Sequence, residues 1–256
     1  METIVSRSLS VHNEHEFLLK LEIAGLTDSL AQKVISSKGN DLAKKVVRFI
    51  GNGGFEATTS QRRAREIMNR NFFGVEEAIQ HLGVNPTKQQ VAALSEIPHS
   101  EAVLNECKET HTLAAVFPLS ILDIRGKVKD RSLFYQQDWY DKEAFAKEKG
   151  EVGWQLVRKT PVDNSTSKTW EEQQTLLVED EETPTARVVV CTTIGHFLST
   201  GERLFESVYV RCSSLGSDGY RVLVGRFGQL GLRIGSFWVA RRYGSLGLAS
   251  SRKFQN

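Results

Sequence analysis

The C-terminal segment, residues 221–256, places the strongest constraint on what this chain can fold into. It contains no Asp or Glu, seven Arg or Lys, and six glycines between Gly225 and Gly247. Short apolar runs at 222–224 and 246–249 predict strands, whereas GQLG, RIGSF and VARRYGS fit no helix, strand or standard two-residue hairpin turn. Two interpretations stay open: an irregular structural β segment, or a recognition surface, because Tyr, Trp and Arg supply contact area while Gly and Ser adapt.

The charge of the chain is concentrated at this end. The net charge of all 256 residues is +2, so the +7 of residues 221–256 is offset by −5 over residues 1–220 (2 − 7 = −5). A local basic end argues against a protein that coats nucleic acid over its whole surface.

The composition is that of an ordinary globular protein, with 40% hydrophobic and 25% charged residues in 28.7 kDa. No apolar run approaches the roughly 18 residues of a membrane span, and METIVSRSLSVHNEHEF lacks the apolar core of a signal peptide. We therefore expect no membrane span and, by default, a cytoplasmic location, with surface display still open. Three cysteines are too few and too scattered for a disulfide framework or a four-ligand zinc site.

Residues 1–111 predict a helical N-terminal subdomain. Segments 29–36 and 41–50 carry apolar residues at helical spacing, and Gly51 with Gly53-Gly54 predicts a stop followed by a flexible joint. Short helices follow in SQRRAREIMNR, GVEEAIQHLG, TKQQVAALSEI and SEAVLNECKE. Thr87 and Ser100 stand at N-cap positions, and Thr87 with Gln90 fits a capping box.

A cluster of arginines in this subdomain permits two interpretations. Short helices joined by tight turns resemble DNA-binding helix-turn-helix units. The alternative, which we favour, is a solvated basic face neutralised by Glu66, Glu76 and Glu77. The arginines are Arg62, Arg63, Arg65 and Arg70.

Cys107 and His111 are four residues apart and so fit one face of a helix, as two metal ligands would. No second pair of ligands is visible, and a buried Cys with a capping or core His is the simpler interpretation. The other histidines are isolated, and no Ser/His/Asp arrangement, phosphate-binding glycine loop or metal motif organises them. We therefore expect no catalytic residue, metal or cofactor, and no enzyme.

The remainder of the chain predicts an α+β layout. TLAAVFPLSILDIRGKV, LFYQQDWY and GWQLVRKTPV favour strands, and KEAFAKEKG and TWEEQQTLL favour helices. Residues 184–198 are ambiguous, because their β-branched run favours a strand while their length and the proline at the start favour a helix. We predict a helix there and a strand at 209–212.

Several motifs give the chain a family resemblance. YVRCSS-x-x-SDGYRV-x-VG-x-F-x-x-x-GL and W-x-x-x-x-x-x-x-LG-x-A-S-x-R-K, with KTWEEQQTLL before them, resemble the target proteins of diversity-generating retroelements. In these systems a reverse transcriptase copies a template repeat with errors at adenines and overwrites the matching 3′ end of a gene. The likeness covers residues 112–256, and FFGVEEAIQHLGVNPTKQQVAALSEIP extends it more weakly. It implies a C-type-lectin-like domain over 112–256 with a variable region at about 220–246.

The resemblance also sorts the residues of that region. The implied scaffold includes Trp238, Gly247, Ala249 and Arg252, with Gly225, Phe227, Gly231, Leu232, Leu246 and Lys253. The implied variable, ligand-binding residues are Leu223, Arg226, Gly228, Arg233, Gly235, Ser236, Phe237, Val239, Ala240, Tyr243, Gly244 and Ser245. Tyr220, Gln229, Leu230 and Arg241 are weaker assignments.

These assignments carry expectations about single residues and about the partner. We expect Trp238 to be a core or floor residue, and Phe237 and Tyr243 to be exposed anchors. The absence of Asp from the variable region favours anionic or aromatic partners over cations. The resemblance thus implies a non-enzymatic recognition protein that binds a macromolecule, in the first place a protein surface. A nucleic-acid-binding regulator that uses the helical half and the basic end is the alternative.

Overall fold

The computed structural model describes residues 9–51 and 58–254. The chain is a mixed α+β protein with two compact units, one over Met1–Glu56 and one over Ala57–Gln255, with Asn256 assigned to the first. The division therefore falls after Glu56 and not after residue 111, where the predicted boundary lay. The reason is that the strand Phe72–Phe73 pairs with the strand His111–Val116, and the helix Val75–Leu82 packs against the helix Ala186–Thr200.

The first unit consists of short helices. They are α1 (Val11–Ile23), α2 (Asp28–Ile35) and α3 (Asp41–Gly51), with a 3-10 turn at Lys38–Asn40 between the last two. Ser10 and Thr27 cap α1 and α2 through their hydroxyl oxygens, which accept from main-chain N–H groups of the first turn. The helices predicted at 29–36 and 41–50 are confirmed. The joint predicted at Gly53-Gly54 lies outside the described residues.

The second unit opens with small elements and continues into two larger sheets. Its first elements are β1 (Thr59–Ser60), α4 (Gln61–Met68), β2 (Phe72–Phe73), α5 (Val75–Leu82), α6 (Lys88–Ala93), β3 (Glu96–Ile97), α7 (Glu101–Cys107) and β4 (His111–Val116). There follow α8 (Ile121–Lys127), α9 (Ala144–Lys147), β5 (Gly153–Arg158), α10 (Trp170–Gln174), β6 (Glu181–Glu182) and α11 (Ala186–Thr200). The last are β7 (Tyr209–Leu215), β8 (Arg221–Gly228), β9 (Gly231–Phe237), β10 (Leu246–Leu248) and β11 (Ser251–Arg252).

The strands form a five-stranded sheet in the order β2-β4-β5-β11-β6, a four-stranded sheet in the order β10-β7-β8-β9, and a small β1-β3 pair. Helix α11 contacts strands of both larger sheets, and ten of its fifteen residues are buried. Such a helix needs no polar face, which is why its apolar run resembles a strand in sequence. The predicted helix at 184–198 is confirmed, as is the capping box of Thr87 with Gln90.

Several local predictions are wrong. RIGSF belongs to strand β9, and GQLG forms a two-residue hairpin in which Gly228 pairs with Gly231. Gly231 adopts a φ of +96°, and an added Cβ would lie 2.5 Å from the Ser132 carbonyl oxygen, so the glycine allows the close approach to the 131–135 segment. Residues 121–127 form a helix because Ser120 and Asp123 make a capping box. The LFYQQDWY region forms 3-10 turns at Arg131–Leu133 and Trp139–Lys142 instead of a strand.

Candidate functional site

The pairing of β7, β8 and β9 determines which side chains share a face of the four-stranded sheet. Leu223 lies opposite Gly235, and Arg221 lies opposite Phe237. Because side chains alternate along a strand, these residues lie on one face. The other face carries Val210, Val222, Val224 and Ile234, all part of the hydrophobic core. Leu223, although only 5% exposed, lies outside that core cluster, so the sheet has an inner and an outer face.

A bulge interrupts β8 at Arg226. The register shifts between Gly225 and Gly228, and Arg226 has a φ of +44°. The bulge leaves Arg226 exposed and places Phe227 in the core, where its ring meets that of Phe197 on α11 at 5.2 Å. At Gly225, which has a φ of +147°, a Cβ would lie 2.2 Å from the Val208 carbonyl oxygen, so this position requires glycine.

The outer face contains a hollow of about 480 Å³, which we call the main hollow. Its floor includes Leu223 and Leu246, which are 5% and 2% exposed. The Phe237 and Tyr243 rings form part of its wall, with centroids 6.4 Å apart at 62°. Six of its lining residues are among those predicted to be variable: Leu223, Arg226, Gly235, Ser236, Phe237 and Tyr243. The other three are Tyr209, Arg241 and Leu246.

A second hollow of about 480 Å³, the side hollow, shares Ser236, Phe237 and Arg241 with the main one. Its other lining residues are Asp218, Tyr220 and Trp238. Trp238 is 58% exposed, so the expectation of a core or floor residue is wrong. It directly follows β9, which is the edge strand of its sheet, and no neighbouring strand covers it.

The charges in the main hollow are unbalanced. The Arg226 guanidinium lies 5.7 Å from the Tyr209 ring centroid and donates to Ser245 Oγ at 3.1 Å. The Arg241 guanidinium lies 5.7 Å from the Phe237 ring centroid. Within the described ranges, neither arginine forms an ion pair with a carboxylate, unlike the nearby Arg242, which pairs with Glu172 at 2.7 Å. The lining contains no Asp or Glu, so the hollow attracts anions.

The 238–245 loop is held largely through its main chain. Trp170 N–H donates to the Val239 carbonyl at 2.8 Å, and Ser167 N–H donates to the Tyr243 carbonyl at 3.0 Å. Tyr209 N–H donates to the Ser245 carbonyl at 2.9 Å. A main-chain carbonyl is present whatever the side chain, so these bonds constrain the path of the loop without constraining its sequence.

Arg211 contributes most to this anchoring. Its side chain on β7 is completely buried, and its guanidinium donates to the carbonyls of Trp238 and Arg241 in the loop. It also donates to the Lys168 carbonyl and to Gln173 Oε1, each at 2.9 Å. Burial lowers the pKa of Arg211 to about 10, which leaves it charged at neutral pH. Sequence reasoning assigned it no role, although a basic residue in the apolar strand YVRC was an available signal.

The other residues predicted to be variable lie elsewhere. Val239, Ala240, Gly244 and Ser245 belong to the 238–245 loop beside the main hollow. Arg233 lies on the outer face with its guanidinium 4.1 Å from the Tyr135 ring centroid. Gly228 lies at the turn of the β8–β9 hairpin, at the opposite end of β9 from Phe237, so the structure does not bring it to the hollow.

Three residues predicted to be scaffold lie in packed positions. Gly247 and Ala249 are buried, and a Cβ on Gly247 would lie 2.5 Å from Pro161 Cβ. The Arg252 guanidinium pairs with Asp180 and, at 2.6 Å, with Glu106.

The arginine cluster of α4 is largely neutralised, as predicted. Arg63 pairs with Glu66 at 3.0 Å, and Arg65 pairs with Glu76 and Glu77. Arg63 also pairs with Glu101, and Arg70 with Glu202. In the part of the chain that is described, only Arg62 of the four lacks such a partner.

Cys107 and His111 do not share a helix face, because Cys107 ends α7 and His111 begins β4. Both side chains are buried. The pKa of His111 is lowered to about 4, first by burial and then by Arg252, and the same two causes lower the pKa of His99 to about 4. Over residues 9–51 and 58–254, no group of three or more His, Cys, Asp or Glu side chains is arranged to hold a metal ion.

Comparison with protein-family models, with curated proteins and with solved structures finds no match to this chain. Among the described residues, every helix is too short or too polar to cross a membrane.

Proposed function

We propose that this chain is a recognition protein without catalytic activity, which binds a partner protein through the main hollow, the side hollow and the 238–245 loop. Its scaffold is of the C-type-lectin type, and its binding residues are rewritten by a diversity-generating retroelement. The observation that carries the proposal is the convergence of six residues predicted to be variable on one hollow of the outer face.

The way in which the site is built supports this proposal. Leu223, Gly235 and Phe237 project from strands whose inner face is packed into the core, so changes on the outer face leave the core intact. The 238–245 loop is held at its carbonyl groups. A surface on which many different side chains must be accepted needs a fold that is held by other groups than those side chains.

The chemistry of the hollow suits recognition. Phe237, Tyr243 and Trp238 provide aromatic surface beside Arg226 and Arg241, and aromatic residues and arginine dominate binding energy at protein interfaces. Gly235 and Ser236 are small residues, so they allow a ligand to approach the sheet closely.

The nucleotide sequence of the source genome tests the retroelement origin. We expect a near-copy of the 3′ coding end beside a reverse-transcriptase gene, with differences almost wholly at template adenines. The altered codons should include those of Leu223, Phe237 and Tyr243 and exclude those of Val222 and Val224. A genome without such a repeat would contradict the retroelement origin.

A second candidate function is the binding of single-stranded nucleic acid. It is favoured by Arg226 and Arg241, which form no ion pair within the described residues and lie beside aromatic rings, because bases stack on such platforms. The ion pairs of the α4 arginines neutralise their charge, which weakens the proposal that the helical half contributes to nucleic-acid binding. This candidate predicts affinity for arbitrary oligonucleotides that falls steeply between about 50 and 200 mM salt. If the protein shows no such salt-dependent binding, this candidate function is excluded.

A further inference from the structure

The two hollows of the proposed binding site differ in charge. Among the described residues, the main hollow is lined by two arginines and no carboxylate. The side hollow shares Arg241 and also includes Asp218, whose carboxylate accepts from the Tyr220 N–H at 2.9 Å and from Ser236 Oγ at 3.3 Å. A ligand that spans both hollows therefore meets two arginines at one end and, beyond Arg241, a carboxylate at the other.

The arginines of the main hollow have unused hydrogen-bonding capacity. Within the described residues, the Arg241 guanidinium donates no hydrogen bond, and Arg226 donates one, to Ser245 Oγ. A guanidinium carries five N–H groups in a planar fork that fits a carboxylate. The guanidinium carbons of Arg226 and Arg241 lie 5.7 Å from the centroids of the Tyr209 and Phe237 rings, within the range of a cation–π contact.

Most of the remaining lining of the hollow is apolar. Leu223 and Leu246 form its floor, and the Phe237–Tyr243 pair stands at its wall. Its volume of about 480 Å³ accommodates a few side chains. A ligand that uses both the arginines and the floor combines a carboxylate with an apolar or aromatic group.

We propose that the main hollow binds an acidic segment of a partner protein, in which an Asp or Glu side chain bonds to Arg226 and Arg241 and a neighbouring aromatic or aliphatic side chain packs on Leu223 and Leu246. This inference rests on the proposed function and specifies the chemical class of the partner.

A peptide fits this site better than a nucleic acid. A nucleic-acid strand carries a phosphate at each nucleotide, so a strand that crosses both hollows would bring a second negative charge to Asp218. A peptide places one carboxylate at the arginines and a neutral or basic side chain at Asp218. The side hollow, with Tyr220 and Trp238 at its rim, suits such a neighbour.

Selection of random peptides displayed on phage against the full chain tests the proposal. We expect enriched peptides to share an Asp or Glu next to an aromatic or large aliphatic residue. Replacing that acidic residue by its amide in a synthetic copy should weaken binding about tenfold or more, because hydrogen bonds to charged groups contribute about 1.5–3 kcal/mol. The double variant R226Q/R241Q should lose the preference for the acid over the amide.

R62Q serves as the matched control. It removes an arginine of α4 that forms no ion pair within the described residues, and α4 lies outside the β7–β10 sheet. It should retain the preference, and thermal unfolding should show that all variants are folded. Enriched peptides without excess acidic residues would overturn the acidic ligand and leave the recognition function standing. Failure to enrich any peptide would count against both. If an oligo-dT strand displaces the selected peptide and binds more tightly than the peptide does, the peptide assignment is overturned in favour of nucleic acid.

Discussion

The two larger sheets of the second unit contain strands that differ in how far their two faces are buried. In the five-stranded sheet all six residues of β4 are buried, from His111 to Val116. In the four-stranded sheet β9 alternates, with Leu232 and Ile234 buried and Arg233 and Gly235 partly exposed. Helix α11 contacts both sheets. The comparison shows that β4 is buried on both faces, while β9 contributes one face to the core and leaves the other partly exposed.

The difference has a consequence for substitution. A strand buried on both faces is surrounded by packed atoms, so any loss of volume leaves a cavity. The outer face of β9 lacks this constraint. Tolerance of change should therefore differ sharply between β4 and the outer face of β9.

The largest effect is expected in β4. L113A should reduce the free energy of unfolding by about 2–5 kcal/mol, because Leu113 is completely buried and its removal leaves a cavity. Leu230→Ala, at the exposed tip of the β8–β9 hairpin, is the matched control and should cost less than about 0.5 kcal/mol. Urea denaturation measures both. Equal losses would contradict the contrast between the sheets.

The next effect concerns the support of the 238–245 loop. R211M should reduce the free energy of unfolding by about 1–3 kcal/mol, because two carbonyls of the 238–245 loop lose their donor. Hydrogen exchange should accelerate between residues 238 and 245. R242Q, which removes an exposed ion pair with Glu172, should leave exchange in the loop unchanged. Normal protection of the loop in R211M would show that Arg211 does not hold it.

Acid should weaken the packing around two buried histidines, His111 in β4 and His99 just after β3. The pKa values of His99 and His111 are about 4, below the ordinary 6.5, so between these values the unfolded chain binds protons that the folded chain does not. Stability should therefore fall as the pH falls from about 6.5 to 4, by about 1.4 kcal/mol per pH unit for each histidine. Urea titrations across this range measure the slope. H99L should reduce it, and an unchanged slope would contradict the assignment.

The smallest effect is expected on the outer face. G235A should change the free energy of unfolding by about 0.5 kcal/mol or less, because no atom lies within 4 Å of the added Cβ. G225A, at the position opposite Arg233 on the neighbouring strand, should destabilise strongly because its Cβ would meet the Val208 carbonyl oxygen. Thermal unfolding of the two variants compares them directly. A large loss in G235A would show that the outer face also belongs to the core.

Local chemistry made much of the fold predictable. The capping box of Thr87 with Gln90, the N-cap at Ser100 and the helix at 184–198 all depend on residues close in sequence, and all are confirmed. The strands at 222–224 and 246–249 were visible as apolar runs. The RIGSF strand was missed because its glycines and arginine obscure the alternation that Leu232 and Ile234 carry.

The tertiary structure alone decided where the unit boundary lies, which face of the sheet is open and how the loop is held. Trp238 is exposed because the chain leaves the edge strand at that point, and Arg211 is buried because distant carbonyls from residues 168, 238 and 241 surround it. Neighbours along the chain alone specify many of the elements, their caps and the basic, aromatic end. Burial depends on which distant segments pack together, and no local pattern encodes that.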